Sequence, residues 1–191
     1  TCALPILIGM DLIGPFAESP NGKKYVLTII DHCSGWAEAF PIPSKSAIHV
    51  QNKLKMEFFP RHGIPEVIIT DLGGEFNSEE IRGFYGENGV THKRTSPYHP
   101  QTNGKTERFN RTLKEILARL VNNEYRAWED QLAAALTAYR NSTSIVTGFT
   151  PFFLLYGRRV RLPLVRSFSA ATGTSHNTRL YELARALACA K

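Results

Sequence analysis

The sequence predicts an α/β protein with a mixed five-stranded sheet flanked by helices. Three observations predict it. The first apolar runs are separated by tight-turn residues, as in a β-meander. A fourth apolar run follows a segment of helical periodicity, as a parallel crossover requires. Two later segments carry amphipathic stripes long enough to cover a sheet.

Ile6 to Phe16 reads as a buried strand, and Asn21-Gly22 turns the chain into a second strand, Lys24 to Ile30. Trp36 to Ile42 is the third. After Pro43, residues Ala47, Val50, Leu54 and Phe58 recur at helical spacing, and Pro60 with Gly63 is expected to stop that helix. Glu66 to Thr70 is a short buried strand that delivers Asp71 at its carboxyl end, where open α/β sheets bind ligands. Ser78 is a candidate N-cap for a short helix ending near Gly89, with Glu79 and Glu80 in its first turn. Val90 to Thr95 is weakly strand-like. Ser96 to Lys105 holds Pro97, Pro100, Asn103 and Gly104, a concentration of turn residues that predicts a mobile loop.

In the helix that follows, Phe109, Leu113, Ile116, Leu117 and Leu120 make one apolar stripe. Glu107, Asn110, Arg111 and Lys114 fall on a different, exposed face. Trp128 to Tyr139 is a further amphipathic helix whose alanines suit close packing on another helix or a second subunit. Residues 1–165 read as one domain. Residues 166–191 read as a linker, rich in Ser, Ala, Thr and Gly, and a short helix around Leu180, Leu183 and Leu187.

A chain of 191 residues supports one well-buried core with an appendage. Lys and Arg number 23 against 17 Asp and Glu, for a net charge of +6 and a pI near 9.3. That balance suits a polyanionic partner, although a mildly basic surface also serves solubility alone. Cys2, Cys33 and Cys189 cannot make a disulfide framework, and with the six histidines they show no zinc-finger spacing. A reducing compartment fits, with Cys33 read as a small core residue. No stretch is apolar for the length of a bilayer, and no basic region precedes the first apolar residues. The chain is expected to be soluble, with no membrane partner, and to be a core or fragment of a longer product.

Three carboxylates need explaining. Asp11 lies inside an apolar run, Asp71 ends another, and Glu107 opens the amphipathic helix with 35 residues between it and Asp71. Asp is depleted in strands and rarely buried without a partner. A hard divalent cation such as Mg²⁺ would relieve the repulsion of converging carboxylates. The alternative is that each acid is a strand-end or surface residue, with Glu107 and Arg111 forming an i, i+4 ion pair worth a few tenths of a kcal/mol.

The words around these acids resemble a known family. Thr70-Asp71-Leu72-Gly73-Gly74-Glu75-Phe76 and the stretch from Ser96-Pro97-Tyr98-His99-Pro100-Gln101 through Glu107-Arg108-Phe109-Asn110-Arg111 resemble the second and third blocks of the retroviral integrase catalytic core. Met10-Asp11-Leu12-Ile13-Gly14-Pro15 is similar to the first. Asp31-His32-Cys33-Ser34-Gly35-Trp36 and the stretch from Gly148 to Gly157 bring it nearer to gypsy-type long-terminal-repeat retrotransposons. The likeness runs from about Ile8 to Pro163.

The resemblance implies a ribonuclease H-like fold and a D,D-35-E polynucleotidyl transferase working with two Mg²⁺ or Mn²⁺ ions. Asp11 would bridge both metals, with Asp71 on one and Glu107 on the other. Tyr98, Pro100 and Gln101 match positions beside the family's active site that contact DNA ends, with Asn103 and Gly104 as a hinge. Lys105, Arg108, Arg111 and Lys114 are candidates for phosphate contacts, which give affinity without sequence information. Glu75 reads as structural, Glu79 as a helix-start charge and His99 as a loop hydrogen-bonder.

The implied partners are element ends, target DNA and further copies of the core. The implied location is the nucleus and the element's cytoplasmic particle, with no secretion. The family's N-terminal zinc module and C-terminal DNA-binding domain fall outside this chain. Two other readings stay open: a related ribonuclease H-like transposase or nuclease, and a host-domesticated descendant that binds DNA or protein without catalysis.

Overall fold

The computed structural model describes residues 6–95, 104–121 and 128–161. Five strands make one mixed sheet: β1 Leu7–Ile13, β2 Tyr25–Asp31, β3 Ala37–Ile42, β4 Val67–Thr70 and β5 Thr91–Arg94, in the order β3-β2-β1-β4-β5. β2 is antiparallel to both β1 and β3, whereas β4 is parallel to both β1 and β5. The expected meander and crossover therefore share one sheet with β1 at its centre. A strand covered on both faces is apolar on both parities, as β1 is apart from Gly9 and Asp11.

Side chains alternate across the sheet, and the two parities feed two cores. Ile8, Met10 and Leu12 of β1 pack with Leu27, Val50, Leu54, Phe58, Ile81 and Tyr85 on one face. Ile13 packs with Val26, Ile30, Phe109, Leu113, Leu132 and Leu136 on the other. Helices α1 Ala47–Lys53 and α3 Glu79–Glu87 cover the first face, and α4 Gly104–Leu120 and α5 Trp128–Asn141 the second. Gly9 and Asp11 share the parity of Ile13, so the one acid of β1 points toward α4 instead of into the fully apolar core.

Of the expected stop, Pro60 with Gly63, only Gly63 ends the helical run that begins at Ala47; Pro60 is accommodated within it. The chain passes from α1 through a π-helical turn, Leu54–Phe58, into α2, Phe59–His62, and ends at Gly63 with φ 78°. The wider turn lets Pro60 sit in the first turn of a new α segment, where its missing N–H costs no bond. Cys33 is exposed in the β2–β3 turn and is not a core residue; the polar turn, not the apolarity of the thiol, decides its place. Ser78 caps α3 as expected, its hydroxyl accepting from the Ile81 N–H at 3.3 Å.

A helix not anticipated from the sequence, α6 Pro151–Tyr156, starts where Thr150 Oγ1 accepts from the Phe153 N–H at 3.1 Å and stops at Gly157, φ 65°. Thr, Pro and Gly at those positions are its cap signals. In α5, Ala135 is buried against the core while Ala133, Ala134 and Ala138 are exposed. Residues 96–103 of the loop expected from Ser96 to Lys105, and the linker and helix within 166–191, lie outside the described residues, whereas Gly104 and Lys105, expected in that loop, instead open α4.

Candidate active site

Asp11 sits mid-strand opposite Thr28, whose hydroxyl donates to the Asp11 carbonyl oxygen at 3.1 Å. Its Oδ1 accepts from the Leu12 N–H at 2.7 Å, and its Oδ2 accepts from Asn110 Nδ2, also at 2.7 Å. Burial pushes the carboxyl pKa up and Asp71 adds to that. The Leu12 amide, the Lys114 cation and Asn110 oppose them, and the balance is about 6, against 3.8 in water.

Asp71 is the residue after β4, delivered at the strand's carboxyl end as the sequence predicts. Its Oδ1 accepts from the Gly73 N–H at 2.9 Å. A Cβ at Gly73 would stand 2.9 Å from that oxygen and equally close to the Glu75 carboxylate, so a side chain here would push both carboxylates aside. Thr70 Oγ1 donates to the Asp71 carbonyl oxygen at 2.8 Å and pairs with His92 Nε2 at 2.9 Å, which supports the turn from β5. Glu75 lies 3.9 Å from the half-exposed Lys45 ammonium.

Glu107 is exposed in the first turn of α4. It shares with Asp11 an open cleft of about 440 Å³ lined also by Asn110, Arg111, Lys114 and Glu115. Among the described residues no ion pair joins Glu107 to Arg111; the i, i+4 pairs that form are Lys53–Glu57 and Glu57–Arg61. The structure thus brings Asp11 near enough to Asp71 to feel its charge, and into one cleft with Glu107. Among the described residues no three His, Cys, Asp or Glu side chains are gathered as a metal site.

The four candidate cations separate. Arg111 and Lys114 line the cleft, and the Lys114 charge reaches Asp11. Lys105 instead donates from Nζ to the His32 carbonyl oxygen at 2.6 Å, and burial lowers its pKa. Arg108 is exposed and its charge acts on Tyr139, away from the cleft. Tyr98, Pro100 and Gln101, with His99 and Asn103, lie outside the described residues.

Asn110, assigned from periodicity to the exposed face, is 6% exposed and reaches inward to Asp11. No sequence signal marks it, because periodicity places a side chain on a face and cannot show that a buried acid waits there. The donor set is oxygen throughout: a carboxylate pair whose mutual charge is unfavourable, and a buried Asn110 Oδ1 that meets no partner among the described residues. Such a set fits a hard divalent cation.

Residues 6–100 match a family model described as Integrase core domain, and residues 88–142 match a second model of the same description. The chain is 39% identical over 150 residues to the Pol polyprotein of Feline endogenous virus ECE1 and 40% identical over 150 residues to the Gag-Pol polyprotein of Baboon endogenous virus (strain M7). Each match covers 78% of this chain, but only 14% and 9% of those polyproteins.

Among solved structures, the catalytic core domain of BIV integrase superposes with a TM-score of 0.61 at 25% identity, covering 79% of this chain and 93% of that one. The simian T-cell lymphotropic virus intasome in complex with PP2A regulatory subunit B56 gamma gives 0.69 at 20% identity, over 92% of this chain and 62% of that one, a likeness of fold alone. With the mixed five-stranded sheet flanked by helices, these matches establish the ribonuclease H-like fold, and the chain belongs to the integrase core domain family, whose members depend on divalent metal.

Proposed function

We propose that this chain is the catalytic core of a retroelement integrase, acting on the ends of element DNA and on target DNA. The single observation that carries the reading is the shared cleft. Asp11 and Glu107 line it, Asp71 stands near enough to raise the Asp11 pKa, and Arg111 and Lys114 supply cations on the same wall.

In 3′-end processing, water attacks a phosphodiester phosphorus. The bond to the leaving 3′ oxygen breaks, and that oxygen takes a proton to become a hydroxyl. In strand transfer this 3′-hydroxyl loses its proton and attacks a target phosphorus, joining the two strands and releasing a target 3′-hydroxyl. Asp11, Asp71 and Glu107 would hold two Mg²⁺ or Mn²⁺ ions, which when bound stabilise charge on attacking and leaving oxygens. Arg111 and Lys114 would hold the DNA backbone by its phosphates, with Lys105, Arg108, Tyr98, Pro100 and Gln101 as further DNA contacts. Asn110 orients the Asp11 carboxylate with the bond it donates to Oδ2.

The core would work as a homo-oligomer in the nucleus and, before entry, in the element's particle. Among the described residues no helix is long and apolar enough to cross a membrane. The deciding experiment is a strand-transfer and disintegration assay of residues 1–191 with Mn²⁺ on short DNA ends. Disintegration is expected to exceed 3′ processing and paired-end integration, because it would ask only for metal and phosphate contacts at the cleft, whereas the other two reactions also ask for recognition of the DNA ends. Absence of all three reactions with DNA binding intact would favour a non-catalytic descendant.

A further inference from the structure

Among the described residues, three buried polar atoms around β1 and α4 meet no hydrogen-bond partner: His32 Nε2, Thr106 Oγ1 and Asn110 Oδ1. Two of them face one point. A Cβ built on Gly9 would stand 2.2 Å from Thr106 Oγ1 and 2.9 Å from His32 Nε2. The two atoms are therefore separated by no more than the sum of those lengths, and only glycine at position 9 leaves room for them. The same helical turn also holds the His32 backbone, through the bond from Lys105 Nζ to the His32 carbonyl oxygen at 2.6 Å.

One turn further along α4, Asn110 reaches Asp11. Thr106 and Asn110 are spaced i, i+4 on the helix, and Gly9 and Asp11 are spaced i, i+2 on the strand, so α4 meets β1 at two successive points. Glu107 directly follows the first.

We propose that His32 is a positioning residue for Glu107: the Thr106 hydroxyl closes onto His32 Nε2 across Gly9 when α4 engages substrate, and this bond sets where Glu107 stands relative to Asp11. The inference rests on the reading of Glu107 as a catalytic carboxylate. Burial lowers the His32 pKa and the Lys105 cation adds to this, so the ring is neutral at neutral pH and has a lone pair to offer. Stability does not call for the pair. Buried polar groups without partners are unfavourable, and two apolar groups of the same shape would pack at least as well.

That last point separates positioning from structure. In the chain of residues 1–191, Thr106→Val and His32→Leu should each lower the disintegration kcat about tenfold, the scale of one lost buried hydrogen bond. The KM for DNA should stay constant, and the metal-free unfolding midpoint should hold or rise. Thr106→Ser, which keeps the hydroxyl, should turn over like the parent, and the double variant His32→Leu/Thr106→Val should be no slower than either single one.

Wild-type kcat in both single variants, effects that multiply in the double variant, or losses that track unfolding would overturn the proposal. Glu107→Gln runs alongside. If it is inactive while the His32 and Thr106 variants turn over normally, the positioning idea alone fails; if it turns over, the carboxylate assignment fails and takes the positioning role with it.

Discussion

Asn110 Nδ2 donates to Asp11 Oδ2 at 2.7 Å, and this contact ties the centre of the sheet to the helix that carries Glu107. It joins residues ninety-nine positions apart. The bond also opposes the burial that raises the Asp11 pKa, so it helps keep the carboxylate ionised at neutral pH.

The first prediction concerns the acids. Asp71→Asn and Glu107→Gln should each abolish disintegration and strand transfer with the fold intact, because the amides keep shape but lose the charge that binds a hard cation. Circular dichroism alongside the Mn²⁺ assay checks both halves. Near-parental turnover by either variant would remove that residue from the metal site.

A second prediction follows from the raised pKa of Asp11. The folded chain holds its proton up to about pH 6, whereas the unfolded chain releases it near 3.8. Between those values the folded state binds more protons, so this group's contribution to stability falls as pH rises from about 4 to 6. The loss is at most about 3 kcal/mol, less any solvent screening. Urea denaturation without metal should show Asp11→Asn gaining stability at pH 7 but not at pH 4. An equal effect at both values would mean that the raised pKa is not a property of the folded state.

The cleft cations predict salt dependence. If Arg111 and Lys114 contact phosphate, each substitution to alanine should flatten the slope of log affinity against log salt on duplex DNA by about 0.9, equally for unrelated sequences. Lys105→Ala should flatten it less, since its ammonium already serves the His32 carbonyl oxygen. A full-sized change for Lys105 with none for Lys114 would reverse the assignment of the DNA track.

The fourth prediction lies at the sheet edge. Glu38 is 7% exposed and accepts from Trp36 Nε1 at 3.1 Å, His62 Nε2 at 3.0 Å and Arg140 Nη2 at 2.8 Å. Burial pushes its pKa up, but the His62 bond, the Arg140 cation and the Trp36 indole outweigh that and hold it below the usual carboxylate value. Its contribution to stability is thus present above the unfolded pKa and lost as pH falls through the folded one. Glu38→Ala should destabilise the chain by about 1.5–3 kcal/mol, because the half-buried Arg140 loses its counter-charge while keeping its bonds to the Ala37 carbonyl oxygen. A loss below 1 kcal/mol in urea denaturation would show that solvent reaches the cluster.

Much of this protein was legible without coordinates because its signals are local. Alternating and continuous apolar runs specify strands, the Phe109 to Leu117 stripe specifies a helix, and the words around Asp11, Asp71 and Glu107 mark the integrase core family. Where local rules compete, the sequence is silent on the winner: Pro60 with Gly63 reads as a stop, yet Gly63 alone ends the helix and a π-helical turn precedes Pro60. Cys33 reads as core by its chemistry, yet its turn exposes it.

Tertiary structure alone decided which polar side chains meet. The inward bond of Asn110, the engagement of Lys105 with His32, the division of four cations into two on the cleft and two off it, and the Glu38 cluster all join residues far apart in sequence. Periodicity carries a side chain's direction about its own axis, but a contact also needs the height and rotation of one element against another. Those are set by packing across the whole core, and here by the space that Gly9 leaves beneath α4.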